Sequence, residues 1–190
     1  MDSNEYYNID SILAEHTRIP CIFLHNISAD VNLTGDGTEI TRQSRLELPF
    51  WLVKPFAEFT LPDNSQLISL EIPKAYGTRV RNVLEAGPTN VDFRLLCPYF
   101  YLFGMKLLKL VVDDSLAAIL EKAFKTRIKE IMDYSQTGTA SLGHEFLQKL
   151  DETEKELFKA GQESAHHLRL WRNRSFYHLR SVDINARPLS

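Results

Sequence analysis

Cysteine is scarce. The chain has two in 190 residues, Cys21 and Cys97, and neither belongs to a CxxC pair. Both stand in apolar company (Pro20–Leu24 and Leu95–Phe103), so they read as buried, reduced thiols rather than a disulfide framework or redox motif. Long apolar runs are missing as well. None approaches the roughly 18 residues of a membrane-spanning helix. The opening MDSNEYYNID is polar and acidic, unlike a signal peptide. Nor does one charge sign dominate: 22 basic residues face 25 acidic ones, for a net charge of −3. That balance gives no overall pull toward nucleic acid or an anionic membrane.

Catalytic motifs are lacking too. There is no GxxxxGK[ST], no GxSxG and no kinase set. His144-Glu145-Phe146-Leu147-Gln148 comes nearest to HExxH, but an amide at Gln148 does not replace an imidazole on zinc. His166 and His167 are adjacent, so on a helix they point about 100° apart and do not share one ion. Gly35-Asp36-Gly37 reads as a turn. Asp151-Glu152-Thr153-Glu154 lacks the glycine and spacing of a calcium loop and reads as a solvated helix face. No catalytic residue, metal site or cofactor is expected.

What is present is ordinary globular composition, 44% hydrophobic and 25% charged, in a chain long enough for one large domain or two small ones. The ends differ in charge. Asp2, Glu5, Asp10, Glu15 and Asp30 precede Val31 against one Arg18. Arg169, Arg172, Arg174, Arg180 and Arg187 follow Ala165 against one Asp183. The arginine-rich end allows a local electropositive contact.

Periodicity divides the chain at Pro73. Before it, Asn8–His16 reads as a short helix with Ile12 and Leu13 inward. Residues 21–27, 39–48 and 66–72 read as strands. PFWLVKPF forms a short helix limited by Pro55, with Phe50, Trp51 and Val53 as core. After Pro73, helices are expected over Arg79–Ala86, from Pro98, and over Leu116–Tyr134. In the last of these, Lys122, Lys125, Arg127 and Lys129 form the wet face. The expected fold is α+β: a small N-terminal β-rich domain (residues 1–73) with an N-terminal helix, then a larger C-terminal α-helical domain (74–190).

The most prominent stretch is Leu142–Trp171, read as one long amphipathic helix. Leu147, Leu150, Leu157, Ala165, Leu168 and Trp171, with Phe158 beside Leu157, follow helical spacing. Glu145–Lys149 and Asp151–Lys155 are favourable i,i+4 pairs on the other face. At about 1.5 Å per residue the helix would run about 45 Å, more than a small domain's width, unless it breaks at Gly161. The stripe therefore predicts a partner. The residues expected to meet it are Phe103, Leu107, Leu150, Leu157, Phe158, Leu168 and Trp171. Trp171 stands among arginines, the composition of interface hot spots.

Five collinear segments resemble subunit three of the eukaryotic GINS complex: NIDSILAEHTRIP (8–20), LELPFWLVK (46–54), LEIPKAY (70–76), PYFYLFGMKLL (98–108), and LDETEKELFKAGQ (150–162) with Trp171. The resemblance implies a non-catalytic nuclear scaffold with a β-rich domain ahead of a helical one. Three sister GINS subunits are the implied partners in a heterotetramer. That tetramer joins the MCM ring and a RecJ-like cofactor into the active replicative helicase, with DNA contacted indirectly through the assembly and no membrane. The alternative is a helical nucleic-acid-binding adaptor using the C-terminal arginines.

Overall fold

A computed structural model describes residues 7–31, 33, 35, 37–62, 64–137 and 146–173. Asn8 caps helix α1 (Ile9–Glu15), its side chain accepting the N–H groups of Asp10 and Ser11. The inward face of α1 is Ser11 and Ala14, not Ile12 and Leu13, which stand half-exposed. Polar docking sets that rotation. The Lys106 ammonium donates to Ser11 Oγ (2.7 Å) and pairs with Glu15, and both acceptors must face it.

Strand β1 (Arg18–Phe23) lies between β2 (Arg45–Pro49) and β3 (Ile68–Leu70), and both pairings are antiparallel. The register Ile19↔Leu48, Cys21↔Leu46 and Cys21↔Leu70 turns Ile19, Cys21 and Phe23 toward the core. The expected second strand loses its first half because Gln43 adopts φ 68°, leaving only an Ile27–Ile40 bridge. Helix α2 (Phe50–Glu58) follows β2 directly and continues past Pro55. Phe50 and Val53 face the sheet. Trp51, about 100° round the helix, is half-exposed rather than core.

The rest is helical: a 3-10 turn (Lys74–Tyr76), α3 (Thr78–Ala86), a second 3-10 turn (Pro88–Asn90), α4 (Phe93–Leu96), α5 (Phe100–Leu110), α6 (Asp114–Thr137) and α7 (Glu152–Arg172). The fold is α+β, as expected. α3 stops at Gly87-Pro88, and α6 opens on Asp113, whose carboxylate accepts the N–H of Leu116 at 3.1 Å. One core cluster runs from the sheet into the helices across Pro73. Phe50 meets the Phe103 ring edge-on at 5.8 Å, and Tyr76, Phe100 and Phe93 stack in a ladder at 4.8 and 4.5 Å. Both cysteines are buried free thiols.

The long terminal helix is shorter than the periodicity suggests. Helical backbone at residues 146–148 ends at Lys149, and α7 begins only at Glu152. The break is fixed by hydrogen bonds to the α4–α5 corner. Phe93 N–H donates to the Lys149 carbonyl (3.1 Å), and Glu152 N–H to the Pro98 carbonyl (3.0 Å). Gly161 is not a break. It lies inside α7 against Ser135, where a Cβ would stand 2.9 Å from the serine Cβ. Lys155 pairs with Glu152 at 2.6 Å rather than with Asp151. Glu145 of the expected Glu145–Lys149 pair and the HExxH-like His144 fall outside the described residues.

Candidate interaction surface

α6 and α7 run side by side in the same direction. Arg127 meets Glu154, and eight residues later Ser135 meets Gly161. Phe158 packs with Ile131 between these points, in a small cluster with Leu150, flanked by Phe146, Leu147 and Leu157. At this register α6 reaches its end, Thr137, opposite residue 164. The last eight residues of α7 therefore extend about 12 Å beyond α6.

That geometry sorts the residues expected at an interface. Phe103, Leu107, Leu150 and Phe158 are buried inside the chain's own cores and offer a partner no area. Leu157 is half-buried beside the second cluster. Leu168 and Trp171 lie past the end of α6 and are 62% and 68% exposed. Arg169 and Arg172 flank them, also exposed, so Trp171 keeps its arginine setting. Arg174, Arg180 and Arg187 fall outside the described residues. His166 and His167 are exposed with their rings at 88°, consistent with two side chains diverging into solvent.

A second apolar surface was not anticipated. Tyr101, Met105 and Leu108 of α5, Ala117, Leu120 and Phe124 of α6, and Thr153 line an open groove of about 330 Å³, with Glu121 as its one charged wall. Met105 is more than half exposed there. Phe103 and Leu107 of α5 point into the core. Met105 and Leu108 belong to another face of the same helix.

Beneath this groove lies a polar network that the sequence reading placed in solvent. Arg127 is 2% exposed, and Asp151 and Glu154 are 0% exposed. Arg127 Nε and Nη2 donate to the two oxygens of Glu154 at 2.7 and 2.9 Å, a bidentate pair. Its Nη1 donates to the carbonyls of Pro88 (2.7 Å) and Val91 (3.0 Å), and the guanidinium sits 4.3 Å from the Phe93 ring centroid. Tyr101 O–H donates to Glu154 Oε1 at 3.2 Å. Burial, then the neighbouring Glu154 carboxylate, holds that phenol's proton well above its usual range. Asp151 accepts the N–H of Phe100 at 2.9 Å, and its own N–H donates to Glu154 Oε2 at 3.3 Å. The first turn of α7 is thus tied to α6, to α5 and to the second 3-10 turn.

A signal for this network was present. Arg127 falls on the inward stripe Leu116, Leu120, Ala123, Ile131, and Glu154 falls midway between Leu150 and Phe158. One opposite charge on each of two apolar stripes marks a buried pair. No group of side chains able to hold a metal ion occurs among the described residues.

Comparison with known proteins adds the family. The GINS complex protein helical bundle domain matches residues 75–173, more than half of the chain, and the PSF3 N-terminal domain matches residues 7–58. The chain belongs to the GINS subunit three family. A DNA replication complex GINS protein psf3 of Aspergillus fumigatus is 36% identical over 169 residues, covering 87% of this chain and 95% of the relative. Its Schizosaccharomyces pombe namesake is 32% identical over 171 residues (89% and 98%), and that of Saccharomyces cerevisiae is 27% identical over 188 residues (87% and 97%). In this GINS subunit three chain, the helical-bundle match ends at Asn173, just past the exposed turns of α7.

Proposed function

We propose that this chain is a non-catalytic subunit of a nuclear, heterotetrameric GINS complex that serves DNA replication. Residues 74–190 make the contacts with three sister subunits. Residues 1–73 brace the assembly against the MCM ring and a RecJ-like cofactor, so that the tetramer joins both into the active replicative helicase. DNA is contacted through the assembly rather than by this chain.

The observation that carries the reading is the exposed end of α7. Leu168 and Trp171 extend an apolar stripe beyond α6, on a helix whose base is fixed by a buried ion pair. A rigid base with a greasy, arginine-flanked tip is the arrangement of an interface anchor. Burying both side chains would contribute about 1.5–3 kcal/mol each before the costs of association. The groove between α5 and α6 is a second seat for an apolar side chain of a sister.

The test is co-purification of the full chain with its three sisters, followed by size-exclusion chromatography. The double variant Leu168→Asp/Trp171→Asp is expected to keep its far-UV circular dichroism and to elute apart from the sisters. An intact four-subunit peak from that variant would show that the tip of α7 is not the interface.

A further inference from the structure

The network at the base of α7 does not balance its charge. The groups that face Asp151 are Glu154 and Glu152 of α7, Arg127 of α6, Tyr99 and Tyr101 at the start of α5, Tyr76 of the first 3-10 turn, and Cys97 before α5. Arg127 is the one cation among them, and both its Nε and Nη2 are committed to Glu154. Glu152 is answered at the surface by Lys155. Among the described residues, the sealed site therefore holds two carboxylates and one guanidinium.

Asp151 is the group left over. Asp151 is also the N-cap of α7: its Oδ1 accepts the Phe100 N–H and its side chain faces the Glu154 N–H in a capping box, while its Oδ2 is buried with no hydrogen-bond partner among the described residues. The hydroxyl oxygen of Thr153 beside it is likewise buried, and the Asp151 carboxylate is the group it faces. We propose that Asp151 is a proton-operated latch: one proton from solvent binds Oδ2, removes the excess negative charge, and tightens the base of α7 against the start of α5. The Phe100 N–H bond to Oδ1 persists in both states, so the proton changes the strength of the joint and not its register. The latch rests on the chain's own geometry and is independent of what covers the tip of α7.

The electrostatics agree in sign. Burial pushes the Asp151 carboxyl up to about 6, and Glu154 adds to the rise. The Thr153 hydroxyl and the N–H groups of Phe100 and Glu152 oppose it. A folded-state value above the unfolded one means that stability is gained as pH falls. The gain builds from above pH 6 down toward the ordinary carboxylate range near 4. By linkage, the unfolding equilibrium of the wild type relative to Asp151→Asn should change about tenfold between pH 5 and 7.5.

The experiment is a carbon-13 titration of aspartate carboxyls in the full chain, with Asp151 assigned by its loss in Asp151→Asn. The expected result is a midpoint near 6 for that resonance, with the Asn variant showing a flatter stability profile from pH 5 to 7.5. Thr153→Val, which leaves every charge in place, should move the midpoint further up. A midpoint at or below about 4.5 would overturn the latch. So would an Asn variant with the wild-type pH profile, or a Thr153→Val midpoint that stays or falls.

Discussion

Replacing Arg127 by methionine tests the packing of α7 most directly. The substitution keeps the stem length and removes the guanidinium. Glu154 then loses two hydrogen bonds of 2.7 and 2.9 Å in a site with no solvent access, and the Pro88 and Val91 carbonyls lose theirs. Removing one partner of a buried pair costs about 3–5 kcal/mol, because the other charge stays buried without compensation. For a chain of this size that corresponds to a fall of about 6–20 °C in Tm. The assay is thermal unfolding of the full chain followed by far-UV circular dichroism at pH 7.5. The double variant Arg127→Met/Glu154→Leu removes the stranded charge and should recover part of the loss. It should not recover all of it, because the two carbonyls remain unanswered and Tyr101 loses its acceptor. A loss under about 1 kcal/mol for Arg127→Met, or a double variant worse than the single one, would refute a buried, committed ion pair.

Two further outcomes follow from packing. Gly161→Ala should destabilise the chain by about 1–3 kcal/mol despite alanine's better helix propensity, because the added Cβ meets Ser135, and Ser135→Gly should restore it; unfolding in urea reads both. Met105→Glu places a charge in the groove of Tyr101, Leu120 and Phe124, and should weaken co-purification with sister subunits while leaving Tm within about 1 °C; unaltered co-purification would remove the groove as a docking seat.

Hydrophobic rhythm and capping chemistry are local, and so the secondary structure was legible. The helices expected over Asn8–His16, Arg79–Ala86 and Leu116–Tyr134 form, the first and last capped by the Asn8 and Asp113 side chains and the second stopped at Gly87-Pro88. The α+β order and the core roles of Phe50 and Val53 could also be read from the sequence, whereas Phe103, expected at an interface, is core. Five collinear segments were enough for the family. Rotation of a helix about its own axis was not legible where a single polar contact set it. Lys106 turned Ile12 and Leu13 of α1 outward, and the sheet turned Trp51 out of the core.

The sequence by itself determined where helices and strands form, and that a surplus apolar stripe exists near the C-terminus. Only the tertiary structure decided which part of that stripe is surplus. A stripe records that side chains share a face, but not how far the neighbouring helix extends along it. Because α6 and α7 run in the same direction and α6 stops opposite residue 164, Phe158 is enclosed, while Leu168 and Trp171 are not. The same parallel course brings Arg127 against Glu154, turning two residues that looked solvated into the buried tie that fixes the helix.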